Sequence, residues 1–210
     1  MYLSAPGLAW DATLKTTKAQ LELLRDPDML LMIESGIRGG IATISHRHAK
    51  ANNEYMGAEF NPVKETKFIS YFDAKNLYDW VMSKQLPVSG FEWMTDDELD
   101  DWKHLSCILE VDLDYPKYLH NLHNDYPLAP ERVKIGNEEK LIPNLNNKTT
   151  YVVHYENLKL YESLGLKITK IHRGIKFKES ASLEEYINLN TNLRIEVKQS
   201  GNTFEVDFSN

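Results

Sequence analysis

The sequence predicts an α+β fold, in which helices and strands are mixed along the chain without strict alternation. Residues 107–114 (CILEVDLD) alternate apolar and acidic side chains, which is typical of a half-buried strand. Residues 74–83 (AKNLYDWVMS) place apolar side chains at helical spacing. The 210 residues, of which 42% are hydrophobic, are sufficient to build a packed core.

A short helix and a glycine-rich turn are predicted in the first quarter of the chain. Residues 28–34 (DMLLMIE) form the helix, which Asp26-Pro27 begins and Gly36 ends. The next stretch, residues 37–45 (IRGGIATIS), predicts a turn followed by an alternating strand from Ile41 to Ser45.

A strand is predicted directly before the helix of residues 74–83. Residues 68–73 (FISYFD) are rich in β-forming side chains and end in an acid. Asp73 is therefore expected at the point where a strand passes into a helix.

The second half of the chain also mixes elements. Residues 119–133 predict a polar, proline-bounded loop. Residues 147–165 predict a short strand or turn and then a helix that ends at Gly165. Residues 166–180 alternate basic and apolar side chains, as a strand or hairpin does, and residues 182–199 predict a helix with Ser182 as its cap.

Composition excludes several classes of protein. The longest apolar run, MLLMI, is far shorter than the roughly 20 residues that a membrane span needs, and the first residues lack the pattern of a signal peptide. We therefore expect an intracellular protein, in the nucleus or the cytoplasm. Cys107 is the single cysteine, which excludes an internal disulfide and a cysteine metal cluster and favours a buried, inert thiol.

Charge is distributed unevenly, although the net charge of −7 argues mildly against a protein wrapped in nucleic acid. Residues 92–114 contain nine acidic residues and one lysine, whereas residues 159–178 contain six basic residues and one glutamate. A basic strip of this kind is either a solvated face or a contact surface for a polyanion. Charge alone leaves both interpretations open.

A carboxylate at the end of a strand, such as Asp73, suits a divalent cation, since the strand fixes its oxygens and the following backbone can bind phosphate. Two such ions need at least two acidic side chains. The spacing alone favours a helix N-cap or a surface acid over a metal ligand.

Residues 71–93 (YFDAKNLYDWVMSKQLPVSGFEW) resemble motif A of family B DNA polymerases, specifically the protein-primed type of mobile elements, viruses and organellar plasmids. The pattern of that motif is Asp, two residues, Ser or Asn, then Leu-Tyr. The stretch IRGG resembles the Tyr-x-Gly-Gly turn that joins the exonuclease and polymerase halves in the family. The stretches LHNDYPLAPE, NLKLYESLGLKITKIHRGIKFK and YINLNTNLR are similar to the segments that follow motif A.

The resemblance implies roles for five motif A residues. Asp73 is implied to be catalytic and to hold both magnesium ions, with the Ala74 carbonyl as a further metal contact. The backbones of Asn76 and Leu77 are implied to lie along the incoming triphosphate. Tyr78 is implied to pack under the sugar and exclude a 2′-hydroxyl, which would select deoxynucleotides; the alternative is a core aromatic on a helix.

DNA contacts are implied at two further places. Gly39 and Gly40 lack a Cβ, so their backbone can approach template phosphates closely, with Arg38 as the charge partner; the alternative is a tight turn. The basic strip falls in the family's insertion that contacts the priming protein and DNA. Its residues implied to contact phosphates are Lys170, Arg173, Lys176 and Lys178.

Some positions depart from the family or are not assigned a role. Asp79 replaces the usual proline or glycine, Lys75 replaces a small or polar residue, and Ile37 replaces the tyrosine of the turn. The Asp112-Leu113-Asp114 stretch lacks the preceding tyrosine of motif C and favours an acidic outward strand face. A zinc site is disfavoured for four histidines that are typical of solvated loops: His46, His48, His120 and His123.

By this resemblance the chain divides into four segments. Residues 1–60 join the exonuclease and polymerase halves, 61–90 form the palm strand and helix of motif A, 91–180 form a mixed α/β insertion, and 181–210 begin a fingers helix that is C-terminally truncated.

The expected function is DNA-directed DNA polymerisation by a two-metal mechanism with magnesium. The expected partners are template and primer DNA, deoxynucleoside triphosphates and a priming terminal protein. The second carboxylate is not identified in these 210 residues, so this partial chain is expected to be inactive alone. The alternative is a non-catalytic relic of a mobile-element polymerase that retains DNA or protein binding.

Overall fold

The structure is a computed structural model that describes residues 4–74 and 76–200. Helix accounts for 38% and strand for 25% of it, which confirms the predicted α+β class. The described residues form two compact units. The first unit contains those within Met1–Leu31, Lys75–Ile108 and Arg173–Asn210, and the second unit contains those within Met32–Ala74 and Leu109–His172.

The helices are α1 (Ala5–Thr17), α2 (Pro27–Gly36), α3 (Leu77–Met82), α4 (Asp96–Asp100), α5 (His120–His123), α6 (Tyr155–Ser163) and α7 (Glu184–Ser200). The strands are β1 (Leu86–Trp93), β2 (Cys107–Asp114), β3 (Glu131–Ile135), β4 (Glu138–Ile142), β5 (Lys148–His154) and β6 (Lys167–Ser180). Short 3₁₀ turns lie at Glu54–Glu59, Trp102–His104 and Lys117–Leu119.

Four strands form one sheet in the order β1-β6-β2-β5, and β3 pairs with β4 in an antiparallel hairpin. Strand β1 pairs antiparallel with β6, and its register shifts twice, between Pro87 and Ser89 and between Ser89 and Glu92. These shifts are β-bulges, which bend and twist a strand at the edge of a sheet.

The outer edge of β1 contacts the segment that precedes α2 in the first unit. The Glu22 backbone N–H donates to the Val88 carbonyl at 2.9 Å, and the Gly90 N–H donates to the Glu22 carboxylate. Asp26 begins α2 by accepting the Asp28 N–H at 2.8 Å, and it also accepts the Trp93 indole N–H at 2.9 Å. The indole hydrogen bond is the main reason that the pKa of Asp26 is lowered.

In the second unit, alternate residues of β2 enter the core. Leu109, Val111 and Leu113 are buried, while the residues between them are partly exposed, as the sequence pattern predicts. Helix α6 contributes the buried Leu158. The chain leaves this helix through Gly165, whose φ of 103° is a left-handed conformation that favours glycine.

Five predicted elements are confirmed. They are α2, α3, β2, α6 and α7, with α7 beginning at Glu184 rather than directly after Ser182. Residues 166–180 form a single strand, β6. The predicted loop of residues 119–133 instead contains α5 and the start of β3. The segment boundaries implied by the family resemblance remain predictions, and residues 201–210 of the implied fingers segment lie outside the described residues.

Two predicted strands are wrong. Residues 41–45 and residues 68–73 have no regular secondary structure. The nearest pairing is a single bridge between Asn52 and Lys67. A strand requires a neighbour that accepts its ladder hydrogen bonds, and β-forming side chains such as Phe72, which is 90% exposed, do not provide one. Motif A therefore has its helix, α3, without the predicted strand before it.

Candidate functional site

Asp73 and Ala74 lie in an exposed stretch of the second unit that has no regular structure. Among residues 4–74 and 76–200, no group of three or more histidine, cysteine, aspartate or glutamate side chains could hold a metal ion. Two catalytic ions need at least two acids. The described residues thus supply the Asp73 carboxylate but do not form a metal site by themselves.

The other motif A residues begin helix α3 in the first unit. Asn76 adopts a left-handed conformation (φ 57°), which asparagine tolerates better than most residues, and its carbonyl accepts the Trp80 N–H at 3.0 Å. Tyr78 follows on the first turn and is 86% exposed. The alternative interpretation of Tyr78 as a core aromatic is therefore wrong. Lys75 lies outside the described residues.

Arg38 makes three contacts within the second unit. Its Nη1 donates to the carbonyls of Gly36 at 3.0 Å and Val152 at 2.7 Å, and its guanidinium carbon lies 3.9 Å from the centre of the Tyr151 ring. A cation stacked on an aromatic ring is attracted by the negative face of that ring. These contacts fix the guanidinium before any ligand arrives.

Gly39 and Gly40 follow Arg38 in open surroundings. A Cβ added to either glycine would meet no heavy atom within 4 Å, and neither residue adopts a left-handed φ. Packing and backbone conformation therefore do not require glycine here, which argues against the tight-turn interpretation. Contact with template phosphates remains a prediction for these residues.

Four residues of the basic strip, Lys170, Arg173, Lys176 and Lys178, lie on β6. Lys170 and Lys178 are exposed. Lys176 instead pairs with Glu98 at 2.6 Å and Glu92 at 3.2 Å, and these hydrogen bonds raise its pKa. The Arg173 guanidinium carbon lies 5.3 Å from the centre of the Trp93 ring.

Asp112 of the Asp-x-Asp stretch is engaged by its neighbours in the second unit. Its Oδ1 accepts from His172 Nε2 and from the Thr150 N–H, each at 2.8 Å. These hydrogen bonds, that of His172 foremost, lower the pKa of Asp112. The geometry supports the interpretation of Asp112 as a structural acid on a strand.

Replacing Asp112 by asparagine is expected to change how stability depends on pH. Because the folded-state pKa lies below the ordinary 3.8, the ionised Asp112 stabilises the fold fully above that pH. This stabilisation is lost as the pH falls through the folded-state pKa. The free energies of unfolding of the wild type and Asp112→Asn, measured in urea, should therefore differ at pH 6 and converge as the pH falls from 3.8 through the lower folded-state pKa. Asp114→Asn on the same strand is the matched control, and an equal effect of both variants would contradict the assignment.

Three of the four histidines have polar neighbours. His46 lies 3.1 Å from Asp125, and His123 Nδ1 lies 2.8 Å from the Tyr115 hydroxyl. His120 Nε2 lies 3.3 Å from the Tyr115 carbonyl. Ordinary hydrogen bonds therefore account for the positions of His46, His120 and His123.

A cavity of about 240 Å³ lies beside Arg38 within the second unit. Its lining includes Gly36, Arg38, Tyr151, His154, Asn157 and Tyr161. The last four are not among the candidate residues predicted from the sequence. No local motif predicts them, because Arg38 contacts β5 only through long-range interactions, such as its hydrogen bond to Val152.

Comparison with known proteins identifies one family. The model of "DNA polymerase type B, organellar and viral" matches residues 45–209, which include motif A and the basic strip but not IRGG. No curated protein and no solved structure matches the chain significantly. None of the described helices has the length and apolar character needed to span a bilayer. Because the family match covers far more than half of the 210 residues, the chain belongs to the organellar and viral type B DNA polymerases.

Proposed function

We propose that this chain supplies the motif A part of a DNA-directed DNA polymerase, which joins deoxynucleotides to a primer 3′-hydroxyl. The observation that carries the proposal is the family match over residues 45–209, which contains the Asp-x-x-Asn-Leu-Tyr pattern from Asp73 to Tyr78. Asp73, with the Ala74 carbonyl, would provide one half of a magnesium site. Magnesium would supply charge neutralisation at the phosphates when bound.

Tyr78 is proposed to select deoxynucleotides. Its ring is exposed on the first turn of α3, so it is accessible to a ligand. A planar ring can stack on a furanose and leave no room for an additional 2′-oxygen. The backbones of Asn76 and Leu77, directly before it, would lie along the triphosphate. The left-handed Asn76 turns the chain into α3 at this point.

Tested as it stands, the 210-residue chain is expected not to extend a primer. One metal-holding aspartate cannot replace the pair that two ions require. The measurement is incorporation of labelled deoxynucleotide into a primer–template with magnesium, for the wild type and Asp73→Asn. Robust incorporation by the wild type that Asp73→Asn abolishes would contradict this expectation and show a complete site.

The second candidate is a non-catalytic relic that retains contacts to DNA or a priming protein. The absence of a group of three or more metal-ligating side chains among the described residues is compatible with this candidate as well as with the first. The gene on either side of this sequence distinguishes the two candidates. A coding region with the fingers lysine motif and Tyr-x-Asp-Thr-Asp favours the enzyme, and stop codons favour the relic.

In a longer chain with both motifs, Asp73→Asn should lower primer extension at least about 100-fold.

DNA binding through β6 is expected to depend on salt. Replacing Lys170, Arg173, Lys176 and Lys178 by glutamine should weaken binding, because cations that contact phosphates release counterions. Lys170→Gln/Lys178→Gln should account for most of the loss and reduce the salt slope by about two. Lys176→Gln alone should change the affinity for DNA little, since Glu92 and Glu98 already neutralise the charge of Lys176.

Fluorescence anisotropy with labelled DNA at several salt concentrations measures both the affinity for DNA and its dependence on salt. Lys134→Gln/Lys140→Gln on the β3–β4 hairpin is the matched control. Unchanged affinity in the four-residue variant would remove the strip from the DNA interface. The same strip is the proposed contact for a priming terminal protein.

A further inference from the structure

We propose that residues 67–73 (KFISYFD), an exposed segment of the second unit, pair as an antiparallel strand with the same segment of a second copy of this chain. The segment contains four large apolar side chains that are between 61% and 92% exposed: Phe68, Ile69, Tyr71 and Phe72. Apart from an edge-on contact between the rings of Phe68 and Tyr55, with centres 6.3 Å apart, no ring contact among the described residues covers them. A group of exposed apolar side chains marks an interaction surface.

The backbone of this segment is available for pairing. Lys67 exchanges two hydrogen bonds with Asn52, at 2.8 and 2.9 Å, and these form the single bridge between the two residues. Beyond Lys67, no N–H or C=O group from Phe68 to Asp73 is hydrogen-bonded to another residue in the described part of the chain. Such unpaired backbone groups are a template for a strand of another molecule.

The bridge to Asn52 determines which backbone groups can pair. In an extended chain the N–H and C=O groups of successive residues point to opposite edges. Asn52 occupies the edge to which Lys67 points, so the backbones of Phe68, Ser70 and Phe72 point to the open edge. A second copy that pairs on the open edge therefore hydrogen-bonds at these three residues, with Ser70 opposite its own counterpart on the two-fold axis.

The segment is complementary to itself in this register. Antiparallel pairing centred on Ser70 forms three kinds of cross-strand pair, each of them twice: Lys67 with Asp73, Phe68 with Phe72, and Ile69 with Tyr71. Opposite-charge, aromatic–aromatic and aromatic–β-branched pairs all stabilise neighbouring strands. A register shifted by one residue would lose the charge pair, so the sequence selects the register centred on Ser70.

The two side chains of the charge pair are accessible to a second copy. Lys67 Nζ lies 3.2 Å from Glu65 Oε2 of its own chain, but these side chains are 60% and 79% exposed, and an exposed ion pair contributes little. Asp73 is exposed and makes no hydrogen bond or ion pair with another described residue. Lys67 and Asp73 would face each other at a position without ladder hydrogen bonds, where opposing side chains are closest.

This pairing would withdraw Asp73 from a metal ion, because the ammonium group of Lys67 competes for the same carboxylate. The associated form would therefore be a resting form of the polymerase segment. That consequence rests on the proposed function, whereas the pairing itself does not. The experiment accordingly measures association and not polymerisation.

Sedimentation velocity of the 210-residue chain over a wide range of concentrations measures the monomer–dimer equilibrium. We expect Lys67→Asp to weaken dimerisation about tenfold, since it replaces two opposite-charge pairs by two like-charge pairs. Asp73→Lys should have a similar effect, and Lys67→Asp/Asp73→Lys should restore dimerisation. An equimolar mixture of the two single variants should also dimerise, because each variant then supplies the charge that the other lacks.

Lys64→Asp is the matched control, since it changes the net charge by the same amount at an exposed lysine of the same unit outside the segment. It should leave dimerisation unchanged. Ser70→Pro removes the N–H on the two-fold axis and should abolish dimerisation, although Ser70 makes no hydrogen bond within the described part of the chain. A wild type that stays monomeric at every concentration would overturn the proposal, as would single variants that dimerise like the wild type or fail to dimerise when mixed.

Discussion

Replacing Lys148 by methionine is expected to lower the free energy of unfolding by about 3 kcal/mol. Lys148 is only 1% exposed, yet its Nζ donates to Glu131 Oε1 at 3.1 Å, to the Asn144 carbonyl at 3.4 Å and to the Asn144 side chain. Methionine fills a similar volume but leaves these acceptors without their donor. Most of the expected loss is the cost of removing the ammonium partner of the partly buried Glu131 carboxylate, which would keep its hydrogen bond from Asn144 Nδ2 at 2.7 Å.

Urea unfolding at pH 7 measures the effect, and a double variant tests its cause. Lys148→Met/Glu131→Leu removes the charge that the single variant leaves unpaired, so it should regain part of the lost stability. Lys140→Met, an exposed lysine on β4, is the matched control and should change stability by less than about 0.5 kcal/mol. A double variant less stable than Lys148→Met would contradict the explanation.

Leu109→Ala is expected to cost about 3 kcal/mol, because truncation of a buried leucine removes transfer free energy and leaves a cavity. Leu109 is fully buried (0% exposed) on the inner face of β2. The denaturation midpoint should fall while the m-value stays constant. Leu160→Ala is the control, since Leu160 on α6 is 51% exposed and its loss should cost less than about 1 kcal/mol. Equal effects at both positions would show that β2 does not bury the face that contains Leu109.

The elements that the sequence predicts correctly are those whose apolar face is also buried, or whose hydrogen bonds are also made, by neighbouring segments. Strand β2 alternates because one face enters the core, and α6 ends where Gly165 permits a left-handed residue. Residues 41–45 and 68–73 also contain β-forming side chains, but no strand within residues 4–74 and 76–200 accepts their hydrogen bonds. Pairing is a property of two segments, so the pattern of one segment cannot establish it.

The β3–β4 hairpin was missed because its charged residues lack a clear alternation and its turn at Gly136 stands among polar residues. The candidate site likewise has a part that local sequence predicts and a part that it does not. The motif A residues follow from a resemblance over consecutive positions, whereas the cavity beside Arg38 depends on residues more than 100 positions apart. Local sequence contains no information on this long-range contact.

The contacts along β1 also bear on self-association. An edge strand exposes unpaired N–H and C=O groups that can recruit a strand of another molecule and begin aggregation. In this protein the Val88 carbonyl on the β1 edge accepts the Glu22 backbone N–H, and the Gly90 N–H donates to the Glu22 carboxylate. Two bulges also interrupt the register of β1. The segment before α2 therefore covers the β1 edge of the sheet and disfavours pairing of that edge with a strand of a neighbouring molecule.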